Sequence, residues 1–105
     1  MASADDFRRL ALSFRDVEEK SHIDHPDFRV GGRIFATLPD AEHGMVQLLP
    51  EQQELAIEAE PETFRPAAGA WGRKGATLMR LEEVSSEWLE RTLHWAWENR
   101  TAKNR

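Results

Sequence analysis

The chain has 105 residues, 40% of them hydrophobic and 31% charged, with fourteen basic against nineteen acidic side chains and a net charge of −5. That length supplies one modest hydrophobic core, so a single domain over the whole chain is expected. The acidic balance excludes nucleic-acid binding over the entire surface, and the lack of cysteine excludes disulfides and thiolate metal sites.

A cysteine-free chain fits a reducing, cytoplasmic setting. The opening MASADDFRRLALSF carries acids where a signal peptide has its basic region. No stretch approaches the ~18 apolar residues of a spanning helix, so no membrane association is expected.

Residues 3–14 read as an amphipathic helix, because Phe7, Leu10, Ala11 and Phe14 recur at helical spacing along one stripe. Ser3 with Asp6 three residues later forms a capping-box start. Residues 15–27 are charged and alternate poorly; they read as an extended connection carrying His22 and His25. Residues 27–38 read as a β-hairpin turning at Gly31-Gly32. A three-residue loop pairing Val30 with Ile34 gathers Phe28, Val30, Ile34, Ala36 and Leu38 on one face, leaving Arg29, Phe35 and Thr37 on the other.

Residues 45–49 read as a third strand, and Pro50 opens a helix to about Ala59 with a weak stripe at Leu55 and Ala59. Residues 64–72 read as an irregular fourth strand interrupted by Pro66. The fifth strand, 76–81, places Thr77, Met79 and Leu81 on one face and Leu78 and Arg80 on the other. Ser85 or Ser86 caps a last helix to about Asn99, with Trp88, Leu89, Thr92, Leu93, Trp95 and Ala96 on one broad face; a polar tail from Thr101 is expected to fray. The order helix, three strands, helix, two strands, helix makes an α+β domain whose antiparallel sheet has helices on one side and an open second side.

The stretch FRPAAGAWGRKGATLMRL, residues 64–81, has four basic residues, Trp71, three glycines and no acid. Such a positive island can meet phosphates: Arg65, Arg73 and Lys74 would neutralise charge and Trp71 would stack on a base. Arg29, Arg33 and His25 enlarge the patch if the two hairpins share the open face. The competing reading makes Trp71 a core or edge aromatic and pairs the basic residues with the abundant Glu and Asp. The glycines at 69, 72 and 75 match neither a Walker loop nor a dinucleotide fingerprint, and turn geometry accounts for them.

His22, Asp24 and His25 combine imidazole and carboxylate, but on an extended segment the two histidines diverge, and no third ligand follows at a diagnostic spacing. They enter as auxiliary residues of the patch rather than a metal site. No serine sits in a nucleophile elbow and the adjacent acid pairs diverge, so no enzymatic activity and no cofactor are expected.

Several blocks carry a resemblance: ALSF, KSHIDHPDFRV at 20–30, RIFAT at 33–37, FRPAAGAWGRKGAT at 64–77 and the late Ala96-Trp97. In this order, spanning nearly the whole chain, they resemble the MmcQ/YjbR family. The resemblance implies a two-layer fold like that of type III secretion chaperones, α-β3-α-β2-α, and a DNA-binding role, a label often given to members; it implies no catalytic residues. Relatives often carry a Trp just before Thr77, where this chain has Ala76, so any stacking falls to Trp71. The expectation is a bacterial-type, non-catalytic domain binding DNA through Arg29, Arg33, Arg65, Trp71, Arg73, Lys74 and Thr77. The alternative partners are an acidic protein or a phosphorylated small molecule.

Overall fold

The computed structural model describes residues 2–22 and 25–101. The expected α+β class holds, with ten elements: α1 (Ala4–Ser13), β1 (Val17–His22), β2 (His25–Val30), β3 (Arg33–Thr37), β4 (His43–Gln47), α2 (Pro50–Ala59), β5 (Phe64–Pro66), α3 (Gly69–Arg73), β6 (Ala76–Arg80) and α4 (Ser86–Thr101). The six strands form one antiparallel sheet in the order β1-β2-β3-β4-β6-β5. Among the described residues, no helix is long and apolar enough to cross a membrane.

Helix α1 starts as read: the Asp6 N–H donates to Ser3 Oγ (3.2 Å) and the Ser3 N–H donates to Asp6 Oδ2 (3.0 Å). This satisfies two donors that a helix start otherwise leaves open. Phe7 and Ala11 are sealed in the core. On α4, the Trp88 N–H donates to Ser85 Oγ (3.2 Å), which makes Ser85 the cap, and Leu89, Leu93 and Ala96 point inward. The helix runs on through Thr101, two residues past the expected end.

The 15–27 segment differs from its reading as a connection. Val17–His22 is a full edge strand paired with β2 from Val17↔Val30 to His22↔His25. Its charges hid the signal, and they suit an edge because Glu18, Glu19 and Lys20 discourage a further strand from adding there. Glu19 also accepts a forked hydrogen bond from the Arg8 guanidinium, with contacts of 3.0–3.2 Å. Ile23, Asp24 and the side chain of His22 lie outside the described residues.

The β2–β3 hairpin corrects the expected register. Gly31 and Gly32 both adopt positive φ (60° and 79°), so the loop has two residues and Val30 faces Arg33. Apolar residues still gather because a bulge intervenes: Phe28 faces Ala36 while Arg29 faces Ile34, leaving Phe35 as the extra residue. A bulge shifts the alternation by one. Phe35 and Ala36, adjacent in the chain, are therefore both fully buried, and Ile34 turns towards the open face.

The expected fourth strand is also shorter. β5 ends at Pro66, and the chain turns through Gly69 (φ 71°) into the one-turn helix α3 that carries Trp71. Helix α2 faces inward through Gln53 and Ala56 rather than Leu55, which is half exposed at 51%. The expected faces of β6 hold, with Thr77, Met79 and Leu81 buried.

Helix α4 packs on β2, β3 and β4, α1 on β1 and β4, and α2 against β5 and α4. Phe7, Phe28, Phe35, Phe64, Met79, Leu81 and Leu93 fill the space between these helices and the sheet, none more than 2% exposed. Full burial of one such side chain contributes about 1.5–3 kcal/mol. Met45 and Gln47, which alternate with the buried Gly44 and Val46 on β4, belong to the other face.

Candidate functional site

On that second face lies a groove of about 610 Å³, with Met45 and Gln47 of β4 on its floor. Asp27 and Arg29 of β2 and Ile34 of β3 contribute from one side, and Ala67, Ala68 and Trp71 from the other. Arg33, at the hairpin tip, and Arg100, in the last turn of α4, also line it, as does His25. Its walls are largely apolar, and its charged side chains are three arginines against one aspartate, a surplus of two positive charges.

The arginines are not equivalent. Arg29 is spent internally: its Nε donates to Asp27 Oδ1 (2.8 Å) and its Nη2 to Oδ2 (3.2 Å), with the aspartate buried beneath it. This bidentate bond holds the Arg29 pKa above its ordinary value. Arg100 donates from Nε to the carbonyl oxygen of Ile34 (2.9 Å). Burial, then the neighbouring Arg33 charge, lowers the Arg100 pKa; a guanidinium so perturbed is still protonated near neutrality. Neither Arg33 nor Arg100 has an ion-pair partner among the described residues.

Trp71 exposes 69% of its surface, the largest exposure among the big apolar side chains of the described residues. The reading that sealed it in the core does not hold. Its backbone, by contrast, is fixed from below. The Gln53 side-chain amide, on α2, shares its two N–H donors among Gly72 O, Ala76 O and Thr77 Oγ1, each at 3.1 Å. Thr77 Oγ1 in turn donates to Gly75 O (2.8 Å). Gly72 permits this closure, because a Cβ there would run into the carbonyl oxygen of Ala67. A mobile-looking turn is thereby pinned with its indole outward.

A family model described as YjbR matches residues 12–99. The chain belongs to the YjbR family. The crystal structure of Deinococcus radiodurans protein DR2400, a DUF419 domain, is similar to this YjbR chain with a TM-score of 0.85 and 23% identity, covering 100% of this chain and 83% of that one. That likeness shows a shared fold. No curated protein matches the chain.

Of the residues proposed from sequence, the YjbR fold brings Arg29, Arg33, Trp71 and His25 to one groove. Arg65 lies elsewhere, beside His43 and Arg80 around a smaller cavity of about 150 Å³. Arg73 and Lys74 are exposed at the end of α3 but do not line the groove. Thr77 is fully buried with its hydroxyl engaged in the Gln53 network, so its place is beneath the site rather than in it. Among the described residues, no three His, Asp or Glu gather as metal ligands, and Asp24 lies outside them. Ala76 is buried with its carbonyl held by Gln53 and by the Ala67 N–H (2.9 Å).

Arg100 was missed because it sits at the margin of the tail expected to fray. Its signal is not local: a helix C-terminus meets the hairpin only through the packing of α4 on β3.

Proposed function

We propose that this YjbR domain is a non-catalytic binding module that takes single-stranded DNA in the groove beside Trp71. The observation that carries the reading is a solvent-facing indole on a pinned backbone, on the same groove as two arginines with no ion-pair partner among the described residues. Bases stack on such an aromatic whatever their identity, while guanidiniums take the phosphates. A groove of this volume admits one or two nucleotides and no duplex. The net charge of −5 opposes a polyanion over the surface at large, so the reading rests on this local surplus of positive charge. The one carboxylate in the groove, on Asp27, is bound to Arg29, which supports a binding rather than a catalytic role.

Fluorescence anisotropy of a labelled oligothymidylate, titrated at several salt concentrations, tests the proposal. Affinity is expected to fall with salt at a logarithmic slope of about −1.4, for roughly two phosphates neutralised. Trp71→Ala is expected to weaken binding by about 1–3 kcal/mol, the worth of one base–aromatic stack. Arg73→Glu with Lys74→Glu, off the groove, is expected to act more weakly than Arg33→Glu. Absence of binding at low ionic strength rejects the reading.

The groove volume also favours a second ligand class, a phosphorylated small molecule, since dedicated small-ligand pockets span the same size range. A thermal-shift series with nucleotides and sugar phosphates separates the two: stabilisation by these without oligonucleotide binding selects the second.

A further inference from the structure

We infer that Arg33 and Arg100 form a two-guanidinium clamp for a terminal phosphomonoester, the phosphorylated end of a nucleic-acid strand whose adjoining base stacks on Trp71; this rests on the nucleic-acid reading above. Three observations converge on it. Both side chains line the groove, and neither is neutralised by a carboxylate among the described residues. Arg100 is committed through Nε alone to the Ile34 carbonyl (2.9 Å), which steadies the side chain and leaves its terminal nitrogens as donors. The two cations also feel each other: Arg33 contributes to lowering the Arg100 pKa, after burial. Two like charges near each other, one of them partly desolvated, are relieved by an anion between them.

The charge count selects the kind of phosphate. A bridging phosphodiester carries a single negative charge, whereas a monoester carries about −1.5 to −2 and three acceptor oxygens, matching two guanidinium forks. Arg29 is not available as a third arm because Asp27 already occupies it.

The sheet fixes the spacing. Ile34, which anchors Arg100, is on β3, and the Trp71 turn leads directly into β6, two strands away in the order β3-β4-β6. Neighbouring strands lie ~4.8 Å apart, so the strand that anchors Arg100 and the strand into which the Trp71 turn leads are ~10 Å apart across the groove floor. One nucleotide with an extended sugar–phosphate bridges that gap, whereas an inorganic phosphate reaches the clamp alone.

The test uses the full chain and oligothymidylates of one length bearing a 5′-phosphate, a 3′-phosphate or hydroxyls at both ends, with thymidine 5′-monophosphate as a fourth ligand. One phosphorylated strand is expected to bind about tenfold tighter than the hydroxyl strand, the worth of one charge-assisted contact pair. Arg33→Ala, at an exposed position, should abolish that ratio, and Arg100→Lys should reduce it. Trp71→Ala should weaken all strands equally and preserve the ratio. Equal affinity of all three strands for the unaltered protein overturns the clamp while leaving strand binding intact. Binding of the monophosphate as tight as that of the best strand keeps the clamp but overturns the strand as its ligand. Failure of every ligand to bind overturns both readings.

Discussion

Gln53 illustrates how a single buried polar side chain sets the geometry of an exposed one. It sits on the inward face of α2, where the apolar pattern is weakest, and its amide shares two N–H donors among three acceptors around the α3 turn. Two of those acceptors keep another donor, Gly72 O from the Gly75 N–H (3.1 Å) and Ala76 O from the Ala67 N–H (2.9 Å). Gln53→Ala should therefore cost about 2 kcal/mol in chemical denaturation rather than a sum over three lost bonds. Gln53→Glu is expected to be worse than Ala, since it sets a carboxylate against three oxygens. If both substitutions leave stability unchanged, the turn is held by something other than this amide.

At the scale of elements, the β2–β3 hairpin separates what patterning discloses from what it hides. The two glycines announced the turn, and the apolar residues of 28–38 announced a buried face. Binary alternation then placed Ile34 inside and Phe35 outside, which is reversed by a bulge that no composition rule encodes. The consequence is measurable. Phe35→Ala should cost about 3–5 kcal/mol, as for any fully buried aromatic, and Ile34→Ala clearly less, because Ile34 is half-buried on the groove wall. The opposite ranking in denaturant melts would restore the simple alternating register.

The same limit explains the other departures. Helices α1 and α4 were legible because each carries its own cap and a long apolar face. β1 was not, because an edge strand needs few apolar residues and its charges resemble a loop. α3 is a single turn, too short for periodicity to declare, and it is held by the Gln53 amide and by the close approach that Gly72 allows to Ala67 rather than by an apolar face of its own. Trp71, Arg29, Arg33 and His25 were identifiable as residue types suited to anions, and the order of strands decides that they share a groove while Arg65 and Arg73 do not.

For the whole molecule, the sheet divides the surface into two unlike halves. Helices α1, α2 and α4 close one side over the core, and the other side keeps a groove with surplus positive charge in a chain of net −5. On the function proposed above, a polyanion is drawn to the arginines of this groove against the overall negative charge of the chain. Nuclear magnetic resonance titration of the labelled domain with a 5′-phosphorylated oligothymidylate tests that claim most directly. Shifts confined to the Trp71 indole, the Arg33 and Arg100 side chains and the backbone of Met45 and Gln47 are the predicted result. Shifts spread over α1 and α4 with the groove silent, or none at all at low salt, would contradict it.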